Sequence, residues 1–413
     1  MNSVRQCCLC GGTDLFPLFK LDDLPISHNL RKKLDDPDPR FTVGFECCQA
    51  CGLLQIVDAI PADLLYGEAD TYTTGFQRPK HLEDLITTAV ARQDPGRAID
   101  IGCNDGALLE ALGRAGYKEI VGVEPNAVAA AIARDKGHKV YTSYLDRHSA
   151  ARLVAEHGAF DTAYLRHVLE HVSDLGAFFE CLRTVLRPDG LLVLELPEVE
   201  EGFTLGSPAI LWEEHVNYFT AELAEHMLGH FGFRVLDRRR YVFGGGSIAF
   251  VARKEAMPEV GARCLPDPAP AMAMLRNFVA RMENQKDELR ALVSQARADG
   301  YQVVMYGAAP RSCLLAATCG IADMIDFVVD DRPDIQARIM PGTQRFIYPL
   351  AELAGKMGGK LLCLLGVGSE NEFKVRAKLE AATDARVAFV SLFPPRNTVE
   401  SVEGARQAIA GHK

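Results

Sequence analysis

A chain of 413 residues is too long for one ordinary domain, and two or three are expected. Its 45 basic and 55 acidic side chains leave a net charge of −10 with no basic run, which argues against a nucleic-acid partner. No apolar segment has membrane-spanning length, and the start, Met1-Asn-Ser-Val-Arg-Gln-Cys7, has no apolar signal core. A cytoplasmic protein without membrane contact is therefore expected, with its twelve cysteines acting as thiols or metal ligands rather than disulfides.

Six cysteines fall in the first 51 residues: Cys7, Cys8, Cys10, Cys47, Cys48 and Cys51. Cys7-x-x-Cys10 and Cys48-x-x-Cys51 are two ligand pairs whose convergence makes a tetrahedral thiolate site, for which Zn²⁺ is the expected metal. Cys47-x-x-x-Cys51 is the alternative register; the repeated x-x spacing favours Cys48. Neither pair contains a His or a carboxylate, so the site is read as structural. Asp70-Thr-Tyr-Thr-Thr-Gly75 follows, a loop whose Tyr72 is a candidate pocket residue, then a helix from about Lys80 to Ala91.

Ala98-Ile-Asp-Ile-Gly-Cys-Asn-Asp-Gly106 reads as a buried parallel strand breaking into a glycine turn, with a helical pattern from Ala107. This is the ligand end of a doubly wound sheet. A second strand, Ile120-Val-Gly-Val-Glu-Pro125, ends in Glu124, placed to accept hydrogen bonds from the two hydroxyls of a ribose. Gly-x-Gly-x-x-Gly is absent, and with it the pyrophosphate cradle of a dinucleotide site. Asp100-Ile-Gly-Cys-Asn-Asp-Gly106 resembles motif I of the class I S-adenosylmethionine methyltransferases. Their cofactor has no phosphate, so a shorter glycine loop suffices. The resemblance implies cofactor contacts from Asp100, Gly102, Asn104 and Gly106, with Glu124 on the ribose.

Phe160-Asp-Thr-Ala-Tyr-Leu165 reads as the strand carrying the third motif of such a domain, leading into Arg166-His-Val-Leu-Glu-His171. His167 and His171 would share a face if this segment were helical, but Glu170 would fall off that face and no third metal ligand is evident. The segment is read as pocket wall, with His167 on the cofactor side. A helix from Gly176 to Leu186 and a buried strand from Gly190 to Pro197 follow. Leu211-Trp-Glu-Glu-His-Val-Asn-Tyr-Phe-Thr220 then packs the only Trp, two acids, a His and a Tyr together. A His beside an acid suits proton abstraction, since it combines a near-neutral pKa with a partner for the charged ring. A strand, Gly232–Asp237, precedes Phe243-Gly-Gly-Gly-Ser247, a tight turn or slim pocket wall.

Cys264-Leu-Pro-Asp-Pro-Ala-Pro270 reads as a linker, and Ala271 to Ala298 as an amphipathic packing helix. A second α/β alternation begins at Tyr301-Gln-Val-Val-Met-Tyr-Gly307 and continues through Ile325–Asp331, Lys360–Gly368 and Arg386–Leu392. Gly307-Ala-Ala lacks a third glycine at dinucleotide spacing. A phosphate-bearing substrate at the turn after Gly307, with Arg311 as the charge, fits better.

Cys48-x-x-Cys51-Gly-Leu-Leu-Gln, Tyr72-Thr-Thr-Gly, the Asp100 motif, Glu214-His215-x-x-Tyr218-Phe219, Gly244-Gly-Gly-Ser and Val328-Val-Asp-x-x-Pro333 with Pro341-Gly-Thr343 occur in an order that spans nearly the whole chain. The sequence resembles the three-domain, zinc-containing deoxysugar C-methyltransferases, which act on nucleotide-linked keto-sugars. The fold this implies is α/β: a small zinc-binding domain (1–75), a class I methyltransferase Rossmann-like domain (76–257) and a Rossmann-like substrate-binding domain (258–413). The chemistry it implies is removal of a proton beside a ketone and attack of the enolate on the sulfonium methyl. Residue by residue, it makes His215 the base with Glu214 beside it, and Tyr72 and His171 pocket groups. Two positions depart from the family: Trp212 stands where members carry a tyrosine, and Gly307-Ala-Ala-Pro-Arg-Ser lacks the usual Gly-Lys. O- or N-methylation of a nucleotide-linked or other small metabolite on the same scaffold is the second reading. A non-enzymatic zinc-organised binding module is the third, and Glu214-His215 beside an intact cofactor motif argues against it.

Overall fold

The computed structural model describes residues 5–61, 64–65, 79–243, 245–257, 265–353, 355–393 and 401–412. Tyr72 and the loop around it therefore lie outside the described residues.

The first three strands, β1 (Leu15–Pro25), β2 (Arg40–Cys48) and β3 (Leu54–Val57), form an antiparallel sheet. β4 (Arg97–Ile101), β5 (Glu119–Val123), β6 (Val140–Tyr141), β7 (Phe160–Arg166) and β8 (Leu186–Pro197) are parallel. β9 (Asn217–Tyr218), from within the Trp212–Tyr218 segment, leaves that sheet and pairs with β3, Leu54 opposite Tyr218. β10 (Phe233–Tyr241) and β11 (Ser247–Lys254) return to it, with β11 antiparallel to both neighbours. The central order is β10-β11-β8-β7-β4-β5-β6. Its inner strands are buried on both faces, which explains their near-continuous apolar sequence. The third sheet, β12 (Gln302–Tyr306), β13 (Phe327–Val329), β14 (Ile347–Tyr348), β15 (Lys360–Leu365) and β16 (Arg386–Ser391), is all parallel in the order β14-β13-β12-β15-β16.

The sheets are joined through shared cores. On one face of the central sheet, Phe179, Leu182 and Met227 pack with Cys7, Leu9, Cys48, Cys51 and Leu53, so the cysteine knuckles rest on the methyltransferase core. The long helix Pro268–Ala298 contributes to two clusters. Met272, Leu275, Phe278 and Met282 enter the core of the first sheet, against Leu21, Phe45 and Tyr218. Leu289, Leu292, Val293 and Ala296 enter the core of the third. This helix begins three residues earlier than its apolar pattern indicates. Asp267 caps it by accepting from the Ala269 N–H at 3.0 Å, and Pro268 and Pro270 fall in its first turn, where a missing N–H costs nothing. The last three of the seven expected linker residues, Pro268 to Pro270, are thus helix. Among the described residues no helix is long and apolar enough to cross a membrane.

Candidate active site

Cys7, Cys10, Cys48 and Cys51 bring their sulfurs within 4.8 Å of one another. Cys7 Sγ to Cys51 Sγ and Cys10 Sγ to Cys48 Sγ are each 3.6 Å. Tetrahedral Zn–S bonds of about 2.3 Å place sulfurs about 3.8 Å apart, so the set fits Zn²⁺ with little adjustment. The register question resolves toward Cys48. Cys47, next to it, faces the other way into the core of the first sheet. Burial pushes Cys8 up to about 11 and Cys47 up to about 12, which keeps both as thiols.

The loops after β4, β5, β7 and β8 meet at one edge of the central sheet. Gly102 has φ +77°, and a Cβ there would stand 2.4 Å from Val168 Cγ2 in the loop after β7. Only glycine permits both the left-handed backbone and the approach of that loop. Asn104 is also left-handed, at φ 48°, and Gly106 at φ 83° opens the helix Ala107–Arg114. Glu124, at the end of β5, accepts from the Asn104 N–H at 2.9 Å and the Asn126 N–H at 2.8 Å. The acid thereby fastens the glycine loop and keeps lone pairs for a ribose. Asp100 is buried beneath the loop, and burial pushes its carboxyl up to about 7. This slim, phosphate-free cradle with an acid at its rim fits S-adenosylmethionine.

Glu195, wholly buried at the end of β8, accepts from Arg166 Nε at 2.6 Å and Ser247 Oγ at 2.6 Å, with His81 Nε2 at 2.7 Å. Burial opposes its charge, but His167 and His81 beside it hold it well below the usual carboxylate range. His167, left-handed at φ 51°, sits 3.5 Å from both Glu195 and Glu170. Despite burial these acids push it up to about 9, so it is a cation at neutral pH. Leu169–His171 is a single 3-10 turn, so the paired helical face considered for His167 and His171 does not form.

The Trp212–Tyr218 segment is clamped between sheets. The Tyr218 hydroxyl accepts from the Trp212 N–H at 2.9 Å and donates to the Trp212 carbonyl at 3.1 Å. Asn217 Nδ2 donates to the Val172 carbonyl at 2.6 Å, and the Ile56 N–H to the Val216 carbonyl at 2.8 Å. Held this way, the His215 ring stacks on Trp212 (centroids 5.2 Å, planes 11°) and meets His171 edge-on at 5.0 Å. The His171 ring is set by its Nδ1, 3.1 Å from the Glu214 carbonyl. The Glu214 carboxylate pairs with His28 of the first sheet's domain, Nε2 to Oε1 3.3 Å, rather than with its sequence neighbour. Burial opposes its ionisation, but His28 outweighs burial and keeps it ionised. Glu213 accepts from the Ser27 N–H at 2.7 Å, and burial together with the Glu214 charge pushes it up. The sequence suggested a near-neutral His215. Burial, reinforced by His171, instead lowers it to about 4, leaving a neutral ring with an acceptor nitrogen.

In the third sheet the strand order reverses between β12 and β15, where Gly307 and Gly366 end their strands. Arg311, in the first turn of helix Pro310–Thr318, stacks on Phe393 at 4.2 Å. A Cβ on Gly245 would stand 3.0 Å from its guanidinium, so the slim turn before β11 lies against it.

His28, His81, Arg166 and Glu195 were not singled out from the sequence, and Ser247 only as the end of the glycine turn. Only Glu195 carries a local signal, as a lone carboxylate in the apolar run Leu191–Leu196.

Three domain families match consecutive parts of the chain: a zinc binding domain over 7–66, a methyltransferase domain over 76–238 and a C-methyltransferase C-terminal domain over 243–394. C-methyltransferase NovU of Streptomyces niveus is 27% identical over 379 residues, covering 88% of this chain and 90% of that one. The mitochondrial ubiquinone biosynthesis O-methyltransferase of Bos taurus is 30% identical over 143 residues, 31% of this chain and 38% of the relative. A SAM-dependent methyltransferase structure from Archaeoglobus fulgidus aligns with a TM-score of 0.32 and 18% identity, over 42% of this chain and 94% of that chain. The domain match, the cofactor cradle and the full-length relative define an S-adenosylmethionine-dependent methyltransferase. Within that class the chain is similar to a C-methyltransferase over most of its length, with a zinc-binding domain match at one end and a C-methyltransferase C-terminal domain match at the other.

Proposed function

We propose that the enzyme methylates the carbon beside the ketone of a nucleotide-linked deoxysugar, with His215 as the base. The observation that supports this reading is the placement of the His215 ring, stacked on Trp212 and edge-on to His171 in the loop after β7. A protonated imidazole could not accept the substrate's proton, and a flexible one would not be aimed at it. The C–H bond breaks toward His215, which takes the proton, and the electron pair moves into the carbonyl; the enolate carbon would then form the new C–C bond as the methyl–sulfur bond broke, its electron pair staying on sulfur and S-adenosylhomocysteine leaving. S-adenosylmethionine supplies the electrophilic methyl group, held by the Gly102–Gly106 loop, Asn104 and Glu124. His167 closes the cofactor side of the wall, and Glu214 holds His171 and His28 around the base. Trp212 has no phenol to donate, and its indole covers the His215 ring instead. Tyr72 retains a pocket role on the strength of the family motif alone. Arg311 offers charge to a diphosphate at the switch point of the third sheet. The reading places the enzyme in the cytoplasm, where thiolate ligands stay reduced.

The coverage of relatives favours carbon over oxygen as the acceptor. The O-methyltransferase likeness is confined to about a third of the chain, while the C-methyltransferase likeness spans 88% of it. The test is His215→Asn. Turnover of a nucleotide-linked keto-sugar should fall about 10²–10⁴-fold while cofactor affinity holds. With the spent cofactor bound in D₂O, wild type should exchange deuterium into the carbon beside the ketone and the variant should not. Near-normal turnover by the variant would remove His215 from the role, and methyl transfer to a hydroxyl or amine would replace the reaction.

A further inference from the structure

Glu170 is 1% exposed, yet among the described residues neither carboxylate oxygen has a hydrogen-bond partner. The closest charge is His167, whose Nδ1 stands 3.5 Å from Oε1, beyond a good charged hydrogen bond. A buried carboxylate left this way is costly unless something coordinates it. What it faces is a pair of imidazoles: ligand atoms of Glu170, His171 and His215 all lie within 4.8 Å of one another. Two histidines and one carboxylate are the donor set of open transition-metal sites, whose bonds of about 2.1 Å would bring ligand atoms about 3.4 Å apart. The contraction required is small and within side-chain reach. The His171 ring is also fixed in orientation, since its Nδ1 lies 3.1 Å from the Glu214 carbonyl. Metal-binding histidines commonly have such a carbonyl behind them. The four-thiolate site is separate and uses none of these residues.

We propose that Glu170, His171 and His215 bind one divalent first-row transition-metal ion, of the Zn²⁺ or Co²⁺ kind, in addition to the structural zinc. Three protein ligands leave an open coordination position, as in sites that bind exchangeable ligands. On the reading of His215 as base, metal and proton compete for the same ring nitrogen, so a filled site is an inhibited one.

The test uses the full chain with its four-thiolate site already filled with zinc. Co²⁺ is titrated in without substrate and followed by calorimetry and visible absorption. Wild type should take up one Co²⁺ beyond the zinc. Glu170→Gln and His171→Asn should each weaken that uptake by at least on the order of 10–100-fold, with S-adenosylmethionine affinity as the control for folding. No uptake by wild type, or uptake equally tight in both variants, would overturn the proposal. Binding here is measured without turnover, so it can fail or hold independently of the mechanism. Uptake at this site with undiminished deuterium exchange would support the metal site and sink His215 as the base.

Discussion

Gly102→Ala is the sharpest perturbation of the cofactor cradle. The backbone there has φ +77°, where an L side chain costs about 1–2 kcal/mol. The added Cβ would also stand 2.4 Å from Val168 Cγ2, on a stiff β-branched side chain that cannot swing clear. Overpacking of that kind costs about 1–3 kcal/mol. The loop escapes both costs by leaving the conformation in which Glu124 fastens the Asn104 N–H, so the loss should appear in cofactor affinity. A total of about 2–5 kcal/mol corresponds to an affinity about 30-fold to a few thousand-fold weaker. Adding Val168→Ala should relieve the overlap but not the backbone strain, leaving a deficit of roughly 5–30-fold. Calorimetric titration with S-adenosylhomocysteine of wild type, both single variants and the double variant reads each arm. Wild-type affinity in Gly102→Ala, or no recovery in the double variant, would refute the steric argument.

Glu124→Ala should weaken cofactor binding by about 1–3 kcal/mol in the same titration, because it frees two loop N–H groups as well as the ribose contact. Elemental analysis should give about one zinc per purified chain, lost in Cys48→Ser with a lower unfolding temperature but retained in Cys47→Ser. Asp100 supplies a pH signature. Burial pushes its carboxyl up to about 7 from an ordinary value of about 3.9, so across that interval the folded state holds more protons than the unfolded one. Its contribution to stability therefore falls as pH rises toward 7. Asp100→Asn should gain stability relative to wild type between pH 6 and 8 in denaturant titrations, and a constant difference across that range would contradict the assignment.

Those features legible in the sequence are the ones whose geometry is local. Two Cys-x-x-Cys turns define their own sulfur positions, and Gly102, Gly106 and Glu124 announce a strand–turn–helix with an acid on the next strand. Paired glycines and apolar runs likewise marked the third sheet. The rest depends on contacts between residues far apart in the chain. His28 meets Glu214 across 186 residues, and His81 meets Glu195 across 114. No periodicity encodes such meetings, because they arise from how packed elements settle against each other. The sequence placed Glu214 beside His215, but the chain turns at Glu213-Glu214 ahead of β9, and there the Glu214 carboxylate goes to His28 while the His215 ring goes to Trp212 and His171. The sequence reads Arg166–His171 as pocket wall without linking Glu170 to a histidine pair; the left-handed residue His167 and the 3-10 turn after it bring Glu170 together with His171 and His215. Even the long helix was legible only as amphipathic. That its first half joins the core of the zinc domain and its second half the core of the third sheet follows from where those cores lie, which only the tertiary structure decides.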